Sequence, residues 1–175
     1  MVFTTFVDGT TAVASEVNAN FDVVIRGDAS FAIFRDEKTQ NTAGGTFTSG
    51  AWQTRTLNTT QVNNITGASL SSNQITLPAA TYYISATGPV NEVSQNQMKL
   101  RNITDGTDEL LGVNNYALTG QNAGTAVLSG VITITGTKTF ELQHRASVTR
   151  LNNGFGMACN FTTEVYATIT IMRLY

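Results

Sequence analysis

Two hydrophobic rhythms divide the chain. Between Thr11 and Ile25 the apolar side chains Val13, Val17, Phe21 and Val24 recur at steps of four, four and three, which aligns them on one stripe of a short helix. Thr11 suits its N-cap, Arg26 its last turn and Gly27 the position just past its end. A helix this short is marginal alone in water, so its stripe calls for a partner. From Ser30 onward the period drops to two. Phe31–Phe34, Trp52–Leu57, Ile75–Leu77, Tyr82–Ala86, Met98–Ile103, Leu110–Val113, Tyr116–Leu118 and Glu164–Tyr175 each read as strands, bounded by Gly, Pro, Asn and Asp. Pro78 and Gly88-Pro89 are read as strand ends, and Asp105-Gly106 as a turn. Val127–Thr135 and Thr139–His144, joined at Gly136-Thr137, read as a hairpin with Val131 on the core face. The last strand is expected to be central in its sheet. About eight to ten short strands at this spacing predict an all-β head, an antiparallel β-sandwich or jelly roll. The predicted organisation is an N-terminal anchor arm and helix over residues 1–27, followed by a β-sandwich head over residues 28–175.

Composition agrees with strands and narrows the function. Of the 175 residues 41 % are hydrophobic, enough for a core, while 13 % are charged, about half the usual share. Thr, Asn, Ser and Gly fill the difference, and they suit pleated surfaces and turns. The net charge of −2 and scattered basic residues supply no field for phosphates, so neither nucleic acid nor an anionic membrane is expected as a partner. No apolar run approaches the length of a membrane span, and the N-terminus has no signal-peptide pattern; a soluble protein made in a cytosol is expected. One cysteine permits no internal disulfide.

Candidate chemistry is sparse. His144, the single histidine, has no nucleophile or orienting acid in any recognisable motif and reads as a structural or surface histidine. Cys159 reads as a buried inert thiol. Asp105–Glu109 has the acidic density of a cation loop without its spacing, and a hairpin turn explains it more simply. Asp36-Glu37 reads as a solvated loop. Trp52 and the tyrosines offer faces for stacking on sugars, although such residues more often fill a core or an interface. The expectation is no catalytic residue, no metal and no cofactor.

Two segments resemble known families. Phe6-Val7-Asp8-Gly9-Thr10, followed by Glu16-Val17-Asn18-Ala19-Asn20-Phe21, resembles the N-terminal segment of bacteriophage tail-fibre and related virion proteins, an Asp-Gly turn and then Val-Asn-x-Asn-Phe on a helix. That resemblance implies a particle anchor carried by Phe6, Asp8, Gly9, Val13, Val17, Asn18, Asn20, Phe21 and Val24. The remainder is similar to heads of the C1q and tumour-necrosis-factor type, through Thr81–Ala86, Leu128–Val131 with Thr139–Leu142, and the last strand. Thr81 stands where that family has Gly, and Gly136-Thr137 where it has Gly-Asp. This second resemblance implies a homotrimer with aromatic and aliphatic residues on its axis. Together they imply a non-enzymatic virion protein, a tail fibre or tip that meets a host-surface glycan or protein. The alternative is a capsid decoration or head-fibre protein. In either case its other partners are tail or capsid proteins.

Overall fold

Alternating burial runs through the strands wherever the sequence alternates, and it sorts them into two antiparallel sheets. The computed structural model describes residues 30–120 and 123–174, together with Val13, Ser15 and Val17. The strands are β1 (Phe31–Lys38), β2 (Gln53–Thr54), β3 (Thr59–Asn63), β4 (Ser69–Ser71), β5 (Gln74–Leu77), β6 (Ala80–Asn91), β7 (Ser94–Asn102), β8 (Thr107–Leu111), β9 (Asn115–Ala117), β10 (Ala123–Ile134), β11 (Lys138–Ala146) and β12 (Glu164–Arg173). One sheet has the order β10-β6-β12-β1-β3. The other has the order β4-β5-β11-β7-β8, with β2 added on β11 and β9 on β7. The result is a jelly-roll sandwich, as the pattern predicted.

The inward faces of both sheets form the main core. Phe34, Ile84, Leu128, Ile169 and Ile171 from the first sheet meet Ile75, Leu100, Phe140 and Leu142 from the second. A smaller apolar cluster of Phe47, Val90, Val93, Ala117 and Ala146 lies apart from it. β12 is indeed central, paired with β1 through Phe31–Met172 and with β6 through Tyr83–Met172.

Four expectations about the strands are overturned. Val127–Thr135 and Thr139–His144 are not a hairpin: β10 pairs with β6 in one sheet, and β11 pairs with β5 and β7 in the other. A tight two-residue hairpin turn would need positive φ at Gly136 or Thr137, and neither residue adopts it, so the link crosses between sheets. Val131 faces outward and is 56 % exposed, while its neighbour Ile132 is buried. Gly88-Pro89 does not end its strand. The Pro89 carbonyl accepts a bond from Arg55, and N and O of a strand residue point the same way; its missing N–H therefore lies on the side where β12 pairing has stopped at Thr87. Finally, Asp36 is buried within β1 rather than solvated in a loop, because it continues the inward parity of Ala32 and Phe34.

At the N-terminal end, the Val17 N–H donates to the Val13 carbonyl at 3.1 Å, a bond at helical spacing. Val13 is exposed and Val17 half-buried. The rest of the predicted arm and helix, including Phe6, Asp8, Gly9, Asn18, Asn20, Phe21 and Val24, lies outside the described residues.

Candidate functional site: a polar groove, its buried support and an apolar sheet face

Arg55 is the largest fully buried side chain of the head, on the stretch that follows β2. The sequence puts Trp52 and Leu57 at opposite parity, and the structure resolves the conflict by turning Arg55 and Leu57 inward. Burying a guanidinium is tolerable only when its donors are used. Nη2 donates to the carbonyls of Tyr166 at 2.6 Å, Pro89 at 3.1 Å and Phe155 at 3.4 Å, and Nη1 to His144 Nδ1 at 2.8 Å. The plane also covers the Phe155 ring at 4.7 Å. Burial lowers the Arg55 pKa to about 10, with Asp36 pulling the other way, so the group stays charged at neutral pH.

Because Arg55 can only donate, His144 Nδ1 must accept, and the proton of the neutral ring sits on Nε2. That N–H donates to Asn96 Oδ1 at 3.1 Å. Burial, and then the neighbouring Arg55 charge, push the His144 pKa down to about 2. The ring also meets Phe47 edge-on at 5.0 Å. Of the two roles the sequence left open, structural or surface, the histidine takes the structural one, fully buried.

Asn96 carries this chain to the surface. Its Oδ1 accepts a second bond from Asn115 Nδ2 at 3.2 Å, and its Nδ2 donates to the Ser94 carbonyl at 2.9 Å. Beyond it opens a groove of about 820 Å³ built from four separate segments: Ser49, Gly50 and Trp52; Gln95–Gln97; Asn114–Tyr116; and Arg145–Ser147. Five lining residues carry amide side chains, two are aromatic and one, Arg145, is charged; no carboxylate lines it. Gln97 Nε2 is tied to the Gly112 carbonyl at 2.8 Å, and Gln95 Oε1 accepts from Ser147 at 2.6 Å. That leaves Gln97 Oε1, Gln95 Nε2, Asn115 Oδ1 and the Asn114 amide as available polar groups among the described residues. Trp52 is half-buried over Lys99 Nζ, 4.4 Å from the ring centroid, and Lys99 is in turn paired with Asp108 at 2.9 Å. Tyr116 is 53 % exposed. Of these residues the sequence singled out Trp52 and the tyrosines; the amides gave no signal.

A second surface lies on the outward face of the β10-β6-β12-β1-β3 sheet. Register places Val131 opposite Tyr83, Tyr83 opposite Met172, and Met172 opposite Phe31, an apolar row across four strands. Val131, Tyr83 and Met172 are all well exposed. Ile33, opposite Thr170, and its own partner Val62 stand one row along. The adjoining row is hydroxylic, with Ser129, Ser85 and Thr170 in register.

The remaining candidates fall elsewhere. Cys159 is exposed, not buried: the apolar residues beside it, Met157 and Phe161, are themselves exposed. The Asp105-Gly106 turn links β7 to β8 with Gly106 at φ 70°, and Asp105 pairs with Lys138 at 2.6 Å. Among the described residues no group of His, Cys, Asp and Glu is arranged to hold a metal, and no helix is long and apolar enough to cross a membrane.

Neither a family model nor a curated protein matches this sequence. Solved structures do match its fold. Murine APRIL aligns with a TM-score of 0.56 at 6 % identity, over 83 % of this chain and 99 % of that one. The globular domain of zebrafish complement 1qA aligns with a TM-score of 0.52 at 13 % identity, over 84 % of this chain and 97 % of that one. At such identities the likeness is one of architecture: the head is a jelly roll of the C1q and tumour-necrosis-factor type.

Proposed function

We propose that the chain is a non-enzymatic bacteriophage virion protein, a homotrimeric tail fibre or tip attached by residues 1–27 and presenting its sandwich head to the host surface. The structural observation that carries this reading is the apolar row Val131–Tyr83–Met172–Phe31. Contiguous exposed apolar surface on a protein of this polarity marks an interface. Its aromatic and aliphatic character is what association about a three-fold axis would cover. The Asp8-Gly9 turn and the Val17-Asn18-Ala19-Asn20-Phe21 phrase support the attachment role. The jelly-roll architecture serves many roles and adds no activity by itself.

One observation favours the second reading, a capsid decoration or head-fibre protein. β1 begins at Phe31, four positions after Gly27, leaving no room for a shaft between arm and head.

Deleting residues 1–27 tests the attachment role. The shortened chain is expected to fold and to sediment as a trimer, yet to be missing from purified particles. Normal incorporation of the shortened chain would refute the anchor. Labelled full-length chain would then separate the two readings by copy number, a few per tail tip against many over the shell.

A further inference from the structure

We infer that the groove between Trp52, Gln97, Asn115, Tyr116 and Arg145 is a binding site for a saccharide bearing a carboxylate, such as a uronic or sialic acid unit. The inference rests on the reading of the head as a surface-binding module and supplies its ligand class. Four observations select that chemistry.

First, the available groups at the groove are amides. Gln97 Oε1, Gln95 Nε2 and the Asn115 oxygen offer donors and acceptors of the kind that pair with neighbouring sugar hydroxyls. Second, Trp52 and Tyr116 give the flat apolar faces on which the C–H side of a pyranose ring packs. Third, Arg145 is the single charged side chain at the groove, and among the described residues it makes no hydrogen bond or ion pair. Lys99, the cation beneath Trp52, is already paired with Asp108, a carboxylate it shares with Arg101. An unpaired guanidinium among amides fits a planar carboxylate better than a neutral hydroxyl. Fourth, no carboxylate lines the groove, so the paired acids needed to cleave a glycosidic bond are missing there. The site holds a sugar without cutting it.

The floor is set before any ligand arrives. Asn96 is buried and held by His144, Asn115 and the Ser94 carbonyl, and behind it stands the Arg55 network. Such support cuts the ordering cost of binding. The groove also lies on the sheet opposite the apolar row, so association through that row leaves every copy of the groove open. Several weak sites would then act together on a polymer.

Trp52 is the sole tryptophan, so its fluorescence reports on the groove alone. The experiment titrates the purified full-length chain with oligosaccharides of glucuronic acid and of sialic acid. The same oligosaccharides with their carboxyl groups reduced to alcohols serve as the comparison. A saturable change with at least one acidic form is expected, weakened about tenfold or more by carboxyl reduction and by Arg145→Met. Arg145 is an exposed side chain on β11, and unchanged melting of the variant would show that the head is intact. Lack of saturation with every acidic probe would overturn the proposal. Equal affinity for acidic and reduced forms, or an unaffected Arg145→Met, would overturn it too. Particle incorporation is read separately, so a chain that incorporates but binds no acidic saccharide refutes this inference and leaves the virion role standing.

Discussion

The neutral, buried His144 makes the head acid-sensitive in a window that no other group of the described structure explains. In the unfolded chain the imidazole titrates near 6.5; in the folded head its pKa falls to about 2, because burial and the adjacent Arg55 both oppose a second cation. Between those values the unfolded chain holds a proton that the folded one refuses. The stabilisation is therefore complete above about pH 7 and is lost as pH falls below 6.5. Each pH unit below 6.5 costs about 1.4 kcal/mol, so the loss reaches about 2 kcal/mol at pH 5 and about 3 kcal/mol at pH 4. Carboxylates held below their ordinary range add to acid sensitivity only at lower pH. They are Glu164, bonded to the backbone N–H groups of Cys159 and Asn160, Asp105, bonded to Lys138, Asp108, bonded to Lys99, and Glu141, where burial is outweighed by bonds from Thr54, Gln74 and Gln143. Asp36, which burial raises, acts in the opposite sense, losing stability as pH rises. Urea unfolding at fixed protein concentration from pH 8 to pH 5 measures the effect against His144→Gln. The glutamine side chain can still accept from Arg55 and donate to Asn96, but it cannot titrate. The wild-type midpoint is expected to fall over this range and the variant's to stay nearly flat. Parallel profiles, or an NMR midpoint for His144 near 6.5 in the folded protein, would refute the reasoning.

Two further outcomes follow from packing. Gly88→Ala would set its Cβ 2.7 Å from the Arg55 guanidinium carbon, which is pinned by three carbonyls; a loss of about 1–3 kcal/mol in urea unfolding is expected, and a neutral effect would show that Arg55 moves freely. Val131→Asp is expected to leave the monomer folded but shift sedimentation toward monomer, whereas Leu128→Asp on the inward face of the same strand should abolish cooperative melting; equal effects of the two would contradict the assigned faces.

Strand positions were legible because period-two burial is a local property of sequence. Pairing was not. Alternation in Val127–Thr135 and Thr139–His144 says that each strand has two faces, yet nothing local says that one strand joins β6 and the other β7. The same limit misassigned Val131: in Val131-Ile132-Thr133-Ile134 either parity contains an apolar residue, and only contact with the opposite sheet selects Ile132 and Ile134. Arg55 and Asp36 escaped because residue type argues for water, while strand parity carried both inward. The groove was half visible. Trp52 announced itself as an aromatic, but the five amides fall in two short runs, Gln95-Asn96-Gln97 and Asn114-Asn115, and nothing local brings those runs to Trp52 and Arg145 before folding.

The place of β12 between β1 and β6 also fixes an order of events during synthesis. β1 and β6 leave the ribosome well before the strand that joins them, so the first sheet has a vacant central slot until Glu164–Arg173 emerges. Two open strand edges wait through that interval, each able to recruit a strand from another chain. Met172, the link between Tyr83 and Phe31 in the outward apolar row, arrives with the same strand. A nascent head therefore cannot present the complete outward apolar row until β12 has emerged.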